Sequence, residues 1–469
     1  MRTLGRLIVV SIVTAGLAAA AQQSAAPVAD AGRATRFITY SEARPILERL
    51  APELAAAFEA RAESSREPAW REWLIGRNEE TRARLEQGDE DSLVNLLLFG
   101  TSFTRLPRVL DNRPAPAGPE GAAGIVHGRV EDLIAALVSP GTNERLLFAR
   151  EVLARRGIDP ATAAGRARAQ SYLPGLLKRT SAEIETYARA IESVRASGGP
   201  ELAVRSTLYR TRGLSSDTSI RPDFAIDQTL AALRARGLLD AGSVRRVAVI
   251  GPGLDFTDKA QGYDFYPQQS TQPFALIDSL VRGRLAKAMD LVLTTVDLSQ
   301  RVNRHLREAQ RRAAGGAGYE IVLPRERSAG WTADLVRFWK SAGTSIGDDT
   351  RPPRGPEGIE TRAVRVRPDV LRSLDVRDIN IVVERIDPLP GPGSFDLVVA
   401  TNVLVYYDVL EQSLALANIA AMLRPGGFLL SNDVLVELPS TPMRSIGHTD
   451  AIYSNQPDDR DQIVWYRRQ

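Results

Sequence analysis

Cysteine is absent from the 469 residues. Its absence removes disulfides, thiolate metal sites, a lipid-bearing cysteine and cysteine nucleophiles together, and leaves the redox compartment open. Histidine occurs only as His127, His305 and His448, which counts against a histidine metal centre and a Ser-His-Asp triad. Lysine is nearly missing as well, with Lys178, Lys259, Lys287 and Lys340 alone, so arginine carries almost all the positive charge. The formal balance is +3 with no dense basic run, and a nucleic-acid partner is not expected. At 43% hydrophobic and 25% charged the composition is that of a globular protein, and the length implies two or three domains.

Long apolar runs are lacking too. The longest, from Leu7 to Ala21, follows Arg2 and Arg6 and precedes small residues. It is shorter than the ~20 residues that span a bilayer, and the pattern is that of a signal peptide over 1–21. Export to the periplasm or medium is expected, with no membrane span after cleavage; an uncleaved anchor is the alternative. A tether over 22–39 follows.

Residues 40–200 predict a helical domain. Leu47, Leu50, Leu54 and Phe58 form one stripe, and Ile184, Tyr187, Ile191 and Val194 repeat at helical spacing. From about 206 to 469 the pattern changes to short apolar bursts at 246–250, 291–296, 379–384, 395–400 and 428–431, with helices between most of them. That is the rhythm of alternating parallel strands and helices. An insertion of about 314–376 separates the second burst from the third.

The first burst runs into Gly251-Pro252-Gly253, a tight turn that lets a ligand approach the backbone. A dinucleotide fingerprint would need glycine at Phe256 and an acid about 20 residues on. The next strand-ending acid is Asp297, and the stretch 256–272 delays the helix that would receive a pyrophosphate. Asp297 is placed either to accept hydroxyl hydrogen bonds or to cap the next helix with Ser299. Asn402 ends FDLVVATN at the carboxyl edge of its strand, where open α/β sheets bind ligands, with Tyr406 just beyond. LRPGGF at 423–428 ends a helix and opens the last parallel strand.

Jointly, residues 246–432 resemble the class I S-adenosylmethionine-dependent methyltransferases, and the Asn-Val-Leu-x-Tyr turn is most like that of the chemotaxis-receptor glutamate methyltransferases. The resemblance implies a Rossmann-like seven-stranded α/β sheet, closed by an antiparallel hairpin from DAIYSN and DQIVWYRRQ; the α-helical N-terminal domain lies outside it. It implies S-adenosyl-L-methionine as cofactor, with Gly251, Pro252 and Gly253 beneath its amino-acid and ribose parts. The family's acid before the glycines is Val249 here, so Asp255 becomes the candidate for the cofactor's ammonium. Asp297 takes the ribose, and Asp387 the adenine amino group, with Glu384 competing. Asn402 and Tyr406 stand where methyl and acceptor meet. Val403-Leu404 replaces the Pro-Pro-aromatic run of enzymes that methylate base amino groups.

Two loops are candidates for the acceptor pocket: GLSSDTSIRPDF, where the family often folds a lid, and YDFYPQQSTQPF with Tyr263 and Tyr266. The expected reaction is methyl transfer to a small-molecule or protein acceptor, without a metal. The alternatives are an exported, non-catalytic Rossmann-like binding module and, third, an NAD(P)-dependent oxidoreductase.

Overall fold

The computed structural model describes residues 34–109, 121–197, 212–257, 263–387, 394–456 and 459–469. The leader over 1–21 lies outside them. Among the described residues no helix is long and apolar enough to cross a membrane.

The chain enters through β1 (Thr35–Phe37), α1 (Tyr40–Leu50), α2 (Pro52–Glu59) and the long α3 (Glu63–Phe99). The helices α4 (Ala122–Val138), α5 (Glu144–Arg155), α6 (Ala163–Ser197) and α7 (Ile220–Ala235) follow. Then come β2 (Arg246–Ile250), α8 (Gln272–Arg282), β3 (Val292–Asp297) and α9 (Gln300–Ala314). The insertion consists of β4 (Tyr319–Glu326), α10 (Ala333–Ser341), β5 (Gly347–Thr350), β6 (Ile359–Val366) and α11 (Pro368–Arg372). The chain ends with β7 (Leu374–Asp378), β8 (Glu384–Ile386), β9 (Phe395–Ala400), α12 (Val409–Met422), β10 (Leu423–Ser431), β11 (Met443–Ile452) and β12 (Arg460–Arg468).

One seven-stranded sheet runs β11-β12-β10-β9-β2-β3-β7. Its five strands from β10 to β7 are parallel, and β12 and β11 form the antiparallel hairpin expected at the chain's end. Strands buried on both faces need apolar residues at every position, and β9 is buried throughout. Alternate residues feed different layers. Val247 and Val249 join α7, α8 and α9 on one face. Ala248 and Ile250 join α1, α12 and the start of α3 on the other. β4, β6 and β5 make a separate three-stranded antiparallel sheet.

Three sequence expectations change. The third parallel strand is β7, in register from Leu293↔Leu374 to Asp297↔Asp378, not 379–384. LDVRD is an edge strand, so charge is tolerated there. The apolar run after it instead makes turns whose Ile379, Ile381, Val382 and Val383 fill the core beneath α12. Second, residues 35–37 of the expected tether pair antiparallel with β8. Third, the helical half is divided between two cores. Trp70 and Leu74 of α3 pack on the sheet, whereas Leu93 and Leu97 of the same helix pack with α4, α5 and α6. At ~1.5 Å per residue α3 is about 55 Å long, enough to cross from one core to the other.

Candidate functional site

Between those two cores α3 passes the carboxyl edge of the sheet. A cleft of about 700 Å³, counting space open to solvent, lies there. It is bounded by Leu85 of α3, by the segment from Leu214 to Thr218, by the ends of β2, β3 and β9, and by the turn from Asn402 to Tyr407.

Backbone conformation explains the glycines. Gly251 has φ +65° and Gly253 φ +63°. A Cβ on Gly251 would fall inside the Val403 side chain, and one on Gly253 would lie 2.6 Å from the Ser216 carbonyl oxygen. The end of β2 therefore packs against Val403 and Ser216 through bare backbone. Pro252 between them is buried and is not among the lining residues.

Asp297 ends β3 in the lining, 8% exposed. Its Oδ1 accepts the Ser299 backbone N–H at 2.7 Å, and the nearby Gly253 N–H also favours the charged form. Burial outweighs these donors and pushes its pKa up to about 6. Ser299 caps α9, so capping and lining fall to different residues. Asn402 follows β9 with φ +57°, a conformation that costs a non-glycine residue roughly 1–2 kcal/mol. Tyr406 also lines the cleft, and burial pushes its hydroxyl up to about 12, so the phenol stays neutral near pH 7.

Gly251, Gly253, Asp297, Asn402 and Tyr406 are thus brought together; besides Pro252, the four nominated residues Asp255, Asp387, Tyr263 and Tyr266 are not. Asp387 is outside the lining because its carboxylate pairs with Arg36, with Arg385 at 3.9 Å. Once the third strand is β7, Asp387 no longer follows a strand end of the large sheet. Asp255 is buried and turned away: its Oδ2 accepts from the Tyr266 hydroxyl at 2.9 Å and Gln269 Nε2 at 2.8 Å. Tyr263 packs with Tyr266 against Val322 of β4, and its hydroxyl donates to Glu326 at 3.4 Å. The aromatic loop serves the insertion, not the cleft.

Sequence reasoning missed the contribution of α3. Arg84 donates to the carbonyl oxygens of Tyr406 at 2.7 Å and Arg212 at 3.0 Å, and Arg82 reaches Asp378 at 2.9 Å. A Cβ on Gly88 would overlap the Leu214 carbonyl. That glycine inside a 37-residue helix was the available signal, since an interior glycine is otherwise unfavourable. Sequence reading did nominate the segment around Leu214, and that segment forms the opposite wall. Among the lining residues the carboxylates are Asp217 and Asp297, and there is no lysine, arginine or histidine.

The strand order, with five parallel strands and a terminal antiparallel hairpin, is that of a class I methyltransferase sheet. Residues 358–431 match the family model described as a methyltransferase domain. Similar solved structures include the N-methyltransferase NodS from Bradyrhizobium japonicum WM9, at 13% identity over 52% of this chain and 85% of that one, TM-score 0.26. Magnesium protoporphyrin IX methyltransferase from Synechocystis PCC 6803 matches at 13% over 53% and 79%, TM-score 0.25. The mitomycin 7-O-methyltransferase MmcR matches at 12% over 87% and 100%, TM-score 0.28. A search of curated proteins finds no match.

Proposed function

We propose that the cleft binds S-adenosylmethionine and directs methyl transfer to a small-molecule or protein acceptor. The observation that carries this reading is the convergence of Gly251, Gly253, Asp297, Asn402 and Tyr406 on one cleft at the carboxyl edge of a class I sheet. The lining suits the cofactor in charge as well as shape: two carboxylates and no cation face a ligand that bears a sulfonium.

When bound, the sulfonium supplies the activated methyl group. The chain supplies alignment and exclusion of water, the effects that matter most in an in-line displacement. Asp297, ionised above about pH 6, accepts hydrogen bonds from ribose hydroxyls. The glycine turn lets Val403 and the Ser216 carbonyl close in beside the cleft. Asn402 and Tyr406 flank the place of reaction, and the neutral Tyr406 phenol orients groups without acting as a base. The nicotinamide alternative is not favoured, because among the described residues the helix after the glycine turn begins only at Gln272, away from where a pyrophosphate would need its N-terminus.

Isothermal titration of the folded protein tests the proposal. Heat is expected with both adenosylmethionine and adenosylhomocysteine, and no fluorescence enhancement with NADH. Absence of heat with both sulfur nucleosides would remove the reading.

A further inference from the structure

A cofactor that ends in an amino acid carries an ammonium as well as a sulfonium. The chain has Val249 before the glycine turn, and Asp255 is committed to Tyr266 and Gln269. We propose that Asp217, delivered by the segment that precedes the sheet, is the carboxylate that receives this ammonium. The proposal rests on the reading of the cleft as an adenosylmethionine site.

Position comes first. Asp217 lines the cleft together with Gly251 and Gly253. Its backbone runs parallel beside Leu254 in an isolated bridge. Thr218 N–H donates to the Leu254 carbonyl at 2.9 Å, and Leu254 N–H donates to the Ser216 carbonyl at 2.7 Å. The residue is therefore stitched to the chain directly after the glycine turn, over which the proposed reading sets the amino-acid end of the ligand.

Orientation and spare capacity come next. Ser92 Oγ of α3 donates to Asp217 Oδ1 at 2.8 Å, and Asn95 Nδ2 donates to Oδ2 at 3.0 Å. A carboxylate oxygen accepts two hydrogen bonds, so each retains room for another donor. Arg301 stands near, with Nη2 at 3.7 Å from Oδ1. Its guanidinium lies over the rings of Phe148 at 4.0 Å and Phe256 at 5.0 Å, and none of its nitrogens makes a hydrogen bond. The guanidinium stands beside the carboxylate without hydrogen-bonding its oxygens. A pre-oriented carboxylate with an open acceptor position on each oxygen suits a positively charged donor such as a primary ammonium.

The test compares adenosylhomocysteine with 5′-methylthioadenosine, which keeps the nucleoside and thioether but lacks the amino-acid end. Asp217→Asn is expected to weaken adenosylhomocysteine by roughly 10- to 100-fold, the effect of losing a charge-assisted hydrogen bond, and to leave methylthioadenosine unchanged. Equal weakening of both ligands would show that Asp217 only anchors the segment, and no change with either would show that it takes no part; both outcomes overturn the proposal. Wild-type protein that binds neither nucleoside overturns the cofactor reading itself. If the Asn variant does not fold, Ser92→Ala removes one orienting bond without changing charge. It is expected to weaken adenosylhomocysteine alone, by about threefold, and the same two outcomes overturn the proposal.

Discussion

Asn402 and Asn432 hold each other across the ends of neighbouring parallel strands. The Asn402 backbone N–H donates to Asn432 Oδ1 at 2.8 Å, and Asn432 Nδ2 returns a hydrogen bond to Asn402 Oδ1. β9 and β10 bring them together through the register pair Ser431↔Ala400. The reciprocal clasp is what keeps Asn402 at φ +57° beside the cleft, where backbone strain is commonly held by surrounding bonds.

Removing the clasp tests that. Asn432→Ala should cost about 1–3 kcal/mol in urea unfolding, the range for losing two hydrogen bonds, and should weaken adenosylhomocysteine. Adding Asn402→Gly, which adopts the same backbone without strain, should recover most of the lost stability. Simple additivity of the two substitutions would show that Asn432 does not hold the Asn402 backbone.

Gly88 offers a test whose sign is diagnostic. On an isolated helix, Gly→Ala stabilises by about 1 kcal/mol. Here the added Cβ would overlap the Leu214 carbonyl, while the Leu214 N–H bonds the Arg84 carbonyl at 3.0 Å. Gly88→Ala should therefore destabilise by roughly 1–3 kcal/mol and reduce adenosylhomocysteine affinity, because α3 and the 214–218 segment are pushed apart. A stabilised variant with unchanged affinity would mean that α3 is not a wall of the site.

These contacts mark where sequence legibility ended. The large sheet was readable because β2, β3 and β9 are short apolar bursts flanked by helices, and the residues at their ends were open to nomination because ligands bind that edge of an open sheet. Asp387 was misplaced for one physical reason: INIVVE is more strand-like in composition than LDVRD, yet the edge position belongs to the latter and the apolar run fills a core. Asp255 was misplaced because nothing in a linear pattern shows which way a side chain leaves a turn. The role of α3 depends on contacts such as Arg84 with Tyr406, 322 residues apart in sequence. Periodicity reports a helix and its apolar face, not what its polar face meets.

Asp297 gives a pH prediction for binding. Its folded-state carboxyl titrates at about 6, and only the ionised form accepts two hydroxyl hydrogen bonds. Affinity for adenosylhomocysteine should be level above about pH 7 and fall close to tenfold per unit below about 6. Asp297→Ala should lose about 1.5–3 kcal/mol of binding at pH 7.5 and flatten that profile. An acid limb that survives in the Ala variant would assign it to another group.

Asp223 predicts a pH dependence of stability independent of the cleft. It is fully buried on α7 among Ile220, Phe274, Phe338 and Ile346. Thr271 Oγ1 donates to its Oδ2 at 2.9 Å, and Oδ1 has no hydrogen-bond partner. Burial raises its pKa to about 8, against ~3.9 in an unfolded chain. Between these values the folded state holds a proton that the unfolded state has released. Its stabilising contribution is therefore complete below about pH 4 and is lost as pH rises to about 8. Asp223→Asn cannot ionise, so relative to wild type it should gain on the order of a few kcal/mol between pH 5 and pH 9 in urea unfolding. Parallel profiles for the two proteins would show that Asp223 does not bear this burial cost.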